Sequence, residues 1–192
     1  MKQIKPTLIA LTTVSVIAII CRFIPNRPYG FAPQIAIAIF SGSLFVSDKK
    51  WAFILTIGAM LLPDIVSELL YKMHTTPFPG FYSGQWQNYL LFAGITCLGF
   101  LIRKIKIENT LTISLIAPTA YFLSSNFLVW IGNGRDINGI PYQKSFSGLL
   151  YCYAEGLPFY KTSIIATIFF SIIFFGGYYL IKQSKLATTQ KM

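Results

Sequence analysis

Apolar residues run along this chain in six stretches, at about 6–24, 31–46, 51–70, 89–102, 111–131 and 158–181. Polar, glycine-rich or proline-rich segments separate them. A helix needs about 20 apolar residues to cross a ~30 Å hydrocarbon core. The first, fifth and sixth stretches meet that length, whereas the second, third and fourth are short or interrupted. Pro33 suits the start of the second helix and Pro158 the start of the last, because proline lacks the N–H that a first helical residue leaves unused. Pro63-Asp64 breaks the third. Short or broken spans are tolerated where protein or a water-filled cavity satisfies the backbone. The pattern therefore predicts an all-α integral membrane protein, a single domain over 1–192. It is a six-helix transmembrane bundle with a polar cavity opening on one side.

Composition narrows the class. Charged residues make up only 11% of the chain and hydrophobic ones 54%, against about 25% charged in soluble domains. So little charge excludes an ordinary soluble enzyme, a disordered tail and a nucleic-acid-binding domain. The formal net charge of +10 is then a matter of membrane orientation. Lys2, Lys5, Lys49, Lys50, Arg103, Lys104, Lys106, Lys182, Lys185 and Lys191 fall on one side of the six stretches. Arg22, Arg27, Lys72, Arg135, Lys144 and Lys161 fall on the other, with the acids Asp64, Glu68, Asp136 and Glu155. Basic loops stay in the cytoplasm, which predicts cytoplasmic N and C termini and a place in the inner membrane. The first stretch follows Lys2 and Lys5 as a signal peptide does, but no A-x-A-like site comes after it. It reads as a retained helix.

Two outer loops are long, 72–88 and 132–157, and both carry glycines, prolines and many aromatics. They read as lids or as packing at the membrane interface. Costly polar residues gather at the same side, where ionisable groups default to functional roles. Arg22 and Arg27 flank a proline-stiffened turn containing Asn26, able to hold an anion or to form ion pairs. Asp64 and Glu68 are four residues apart and share a helix face. They pair with those arginines, read a ligand cation, or join His74 at a metal; no signature favours the metal. Asn126 and Trp130 share a face of the fifth span, either as ligand contacts or as interhelical glue. Tyr151 and Tyr153 belong to a lid or to an aromatic belt. Cys21, Cys97 and Cys152 form no CxxC pair; Cys21 and Cys152 lie on one side, as buried thiols or a disulfide. No P-loop, GxSxG or HExxH is present, so no catalytic residue, cofactor or metal ligand is assigned.

Arg22-Phe23-Ile24-Pro25-Asn26-Arg27-Pro28-Tyr29, Ser67-Glu68-Leu69, Ser125-Asn126-Phe127-Leu128-Val129-Trp130 and Gly148-Leu149-Leu150-Tyr151-Cys152-Tyr153 together resemble an uncharacterised family of bacterial six-span membrane proteins. That resemblance implies no activity. Size and topology are more distantly similar to the substrate-binding S components of energy-coupling-factor transporters. This likeness implies a ligand site near the outer face, capped by loops.

The function expected first is transporter-like binding of a small solute by Arg22, Asn26, Arg27, Asp64, Glu68, Asn126 and Trp130, with Tyr151 and Tyr153 above. A small integral-membrane enzyme on a lipid-linked substrate is a second reading. A non-catalytic accessory subunit is a third, and it predicts both arginines paired with both acids and no cavity. Expected partners are the solute, the bilayer and a membrane partner subunit, with no nucleic acid. Ala32, Ala36 and Gly42 serve either internal packing or such a partner.

Overall fold

The computed structural model describes residues 4–102 and 105–189. Lys2, Arg103, Lys104 and Lys191 of the charge pattern lie outside the described residues, as do the side chains of Lys5 and Lys185. Six helices follow one another: α1 (Ile4–Arg22), α2 (Gln34–Leu44), α3 (Lys49–Lys72), α4 (Gln85–Gly99), α5 (Ile107–Ile131) and α6 (Phe146–Thr189). Among them α3, α5 and α6 are each long and apolar enough to cross a membrane.

The centre belongs to the shortest helix. α2 packs against α3, α4, α5 and α6, while α1 lies against α3. Every residue of α2 from Ile35 to Ser43 is buried, as expected of a helix that is apolar all round. Eleven residues reach only about 17 Å at 1.5 Å per residue. Protein on all sides is what satisfies the surroundings of so short an apolar helix.

Glycine permits the closest approach. A Cβ on Gly42 of α2 would lie 2.3 Å from the Thr96 carbonyl oxygen and 2.8 Å from Gly99 Cα, so the α2 and α4 backbones touch. Ala36 is fully buried. Ala36 and Gly42 thus serve internal packing, the use of small residues that lets helices approach without a hydrophobic driving force. Hydroxyl pairs add glue: Thr56 with Thr96 between α3 and α4, and Ser114 donating to Ser171 between α5 and α6, each at 2.9 Å. On the other side of α2, Phe40 packs against Phe174, Phe175 and Tyr178 of α6.

Two expected boundaries change. The third stretch is not broken, since α3 runs unbroken through Pro63. The last helix begins at Phe146, so Pro158 sits inside it and residues 146–157 are helix where a loop was expected. An internal proline removes one helical N–H bond. One turn on, Ser67 Oγ donates to the Pro63 carbonyl at 2.9 Å and Thr162 Oγ1 to the Pro158 carbonyl at 3.0 Å. The cysteines are free thiols, with Cys21 and Cys152 buried and Cys97 exposed.

Candidate functional site

A cavity of about 420 Å³ lies at one end of the bundle, where α1, α3 and α5 finish and α2, α4 and α6 begin. All six helices line it. Arg22 closes α1, Gln34 opens α2, and Met60 and Asp64 come from α3. Gln85, Asn88 and Phe92 form one face of α4 at three- and four-residue steps. Pro118, Tyr121, Phe122, Ser125 and Asn126 do the same on α5, and Gly156, Phe159, Tyr160 and Ser163 on α6. Gly30 comes within reach of α6 so closely that a Cβ would lie 2.6 Å from the Phe159 carbonyl oxygen; its φ of +82° suits glycine as well.

The electrostatic centre is Asp64. Its Oδ1 accepts from Arg22 Nη1 at 2.7 Å. Its Oδ2 accepts from Gln85 Nε2 and from the Tyr89 hydroxyl, each at 2.6 Å. Asp64 is buried, and three donors with one matched cation are what a buried carboxylate requires. A second network joins Asn88 to the Tyr82 hydroxyl at 2.7 Å and receives the Tyr121 hydroxyl at 3.2 Å. Aromatic faces complete the walls: Phe92 against Tyr121 at 4.9 Å and Phe122 stacked on Tyr160 at 4.6 Å.

Of the residues expected at the site, Arg22, Asp64 and Asn126 line the cavity. The others stand apart, each with structural work. Asn26 is exposed and takes the left-handed turn conformation at φ +54°, which Asn tolerates better than most residues. Arg27 donates to the Phe31 carbonyl at 2.7 Å within its own turn. Burial lowers its pKa, opposed by Cys21 and assisted by Arg22. Glu68 accepts the Gly80 N–H at 3.1 Å and meets Lys72 at 3.6 Å. It anchors the α3–α4 loop, which presses so tightly on α3 that a Cβ on Gly80 would lie 2.0 Å from the Asp64 carbonyl oxygen.

Trp130 fastens the α5–α6 loop. Its Nε1 donates to the Gln143 carbonyl at 2.8 Å, and Lys144 lies over its ring and donates to its carbonyl. Tyr153 donates to the Leu123 carbonyl at 3.0 Å, tying α6 to α5. Tyr151 packs its ring against Tyr142. Both tyrosines belong to α6, not to a lid. In the α5–α6 loop, Tyr142 donates to Glu155. Burial first, and that bond second, raise the Tyr142 pKa.

Gln34, Gln85, Asn88, Tyr82, Tyr121, Ser125, Tyr160 and Ser163 also line the cavity and are not among the residues expected there. A signal was available: the amides and hydroxyls of α4, α5 and α6 recur at three- and four-residue steps.

A family model matches residues 2–189. The chain belongs to DUF6580, a family of unknown function. The resemblance to an uncharacterised family therefore holds over nearly the whole chain. No curated protein and no solved structure matches it.

Proposed function

We propose that this DUF6580 member is a multi-pass membrane protein of the inner membrane that holds a small solute in the six-helix cavity. In this reading all six helices lie in the bilayer, with α2 shielded at the centre. Both termini are cytoplasmic, which turns the cavity outward. The charge pattern supports that orientation, because Lys49, Lys50 and Lys106 flank the opposite end from the cavity.

One observation carries the reading. A cavity of about 420 Å³ is lined by every helix, in the size range and mixed apolar–polar character of ligand pockets. The accessory-subunit reading required a closed outer half and both arginines bound to both acids. Arg27 instead caps its own turn and Glu68 holds a loop.

The test uses protein purified in mild detergent, then denatured, with released molecules identified by mass spectrometry. Ser163→Phe, which fills the cavity without removing a hydrogen bond of the Asp64 network, is the control. A stoichiometric compound from the native protein, missing from a folded variant, is the expected result. Lipid alone from both, together with no thermal shift across a solute library, would overturn the proposal.

A further inference from the structure

The chemistry of the cavity wall narrows the class of solute, on the reading that a solute is held there. Arg22 and Asp64 are the only residues of formal charge among the described lining, and they neutralise each other at 2.7 Å. A ligand cation needs a carboxylate, but Asp64 is already shared among Arg22, Gln85 and Tyr89. A ligand anion would meet an arginine whose charge is matched, leaving one uncompensated charge in a low-dielectric site. The balance favours a neutral molecule.

Hydrogen-bonding capacity is nevertheless left over. A guanidinium has five N–H donors, and Arg22 directs only Nη1 at Asp64. Gln34 also lines the cavity, and its Oε1 is buried with no hydrogen-bond partner. A buried acceptor left unpaired costs free energy until a donor reaches it. Spare donors and a spare acceptor on the wall of one cavity complement a group that has both, a carbonyl next to an N–H. The rings of Tyr121 and Phe122, each paired with a second ring, offer flat faces for an aromatic body.

We infer that the cavity takes an uncharged aromatic compound with an amide-type head, its carbonyl accepting from Arg22 and its N–H donating to Gln34.

Three probes share one ring and differ in the head. At pH 7 indole-3-acetamide is neutral, indole-3-acetate anionic and tryptamine cationic. Each is dialysed to equilibrium against the protein in nanodiscs, with empty nanodiscs subtracted. The amide is expected to bind about tenfold more tightly than either charged probe, or about 1.4 kcal/mol. Ser163→Phe should abolish that binding. Arg22→Lys should weaken it about fivefold or more, because lysine keeps the charge for Asp64 but lacks the planar fork of donors. If Ser163→Phe does not fold, Ser163→Leu replaces it. Tighter binding of the acetate or the amine, lost in the filled variant, would overturn the neutral-ligand inference and leave the cavity reading intact. Binding that survives cavity filling would overturn both. No saturable binding of any probe would overturn the inference, while the released-ligand measurement decides the cavity reading separately.

Discussion

Arg22 Nη1 and Asp64 Oδ1 lie 2.7 Å apart, joining the last residue of α1 to the middle of α3 at the wall of the cavity. The acid is buried and the arginine partly exposed. Breaking such a pair costs more than the pair contributes, because one charge stays behind. Arg22→Gln should therefore destabilise the protein by about 2–4 kcal/mol. Arg22→Gln with Asp64→Asn should recover part of that loss. A double-mutant cycle on thermal unfolding measures the coupling, expected above about 0.5 kcal/mol. Strict additivity would show that the two side chains do not interact.

Orientation is open to direct labelling. Ile137, in the α5–α6 loop, is 88% exposed, and Lys50 lies near the start of α3 at the opposite end. In a background with Cys97 replaced by serine, Ile137→Cys should react with an impermeant maleimide in intact cells. Lys50→Cys should react only after permeabilisation. The reverse pattern would place the cavity on the cytoplasmic side.

Gly42 allows the central helix to touch α4. Gly42→Val should destabilise the protein by about 3 kcal/mol or prevent folding, since its Cβ would lie 2.3 Å from backbone. Gly94→Ala on α4 is the control, with nothing within 4 Å of an added Cβ. It should be neutral, or stabilising by up to about 1 kcal/mol through helix propensity. Size-exclusion profiles and melting temperatures report both.

Glu68 is a loop anchor in this structure. Glu68→Ala removes the acceptor for the Gly80 N–H, 3.1 Å away. Hydrogen exchange in residues 76–84 should speed up severalfold while exchange in α2 stays unchanged. Equal exchange in both proteins would remove this role.

Tyr142 should shape stability at high pH. Burial and its bond to Glu155 raise its pKa in the folded state above the ordinary value near 10. The folded chain then keeps a proton that the unfolded chain loses, so the contribution is complete below about pH 10 and fades as pH rises toward the raised value. Tyr142→Phe should lose less stability than the native protein between pH 10 and 11. Parallel melting-temperature profiles would refute this assignment.

Hydropathy made most of the fold legible. Five of the helices fall where apolar stretches lie, because the cost of unpaired backbone groups drives any long apolar run into a helix. The misread segment, 146–157, is instructive. Pro158 looked like a helix start and the preceding glycines like a loop, yet α6 continues through both. Gly156 packs against Asn126 of α5, where any Cβ would lie 2.6 Å from Oδ1. A local rule was overridden by a neighbouring helix.

The costliest residues also stood out. Arg22, Asp64 and Asn126 were conspicuous against an apolar background, and the fold brings all three to one cavity. Glu68 was equally conspicuous and serves a loop instead. Helical spacing placed Asp64 and Glu68 on one face, but only packing decides what each meets. Desolvation makes a polar residue noticeable in one dimension, since its cost depends on its own chemistry. Its partner depends on which helices touch. Gln34, Gln85 and Asn88 come together at one cavity only because α3, α4, α5 and α6 pack around the short, buried α2.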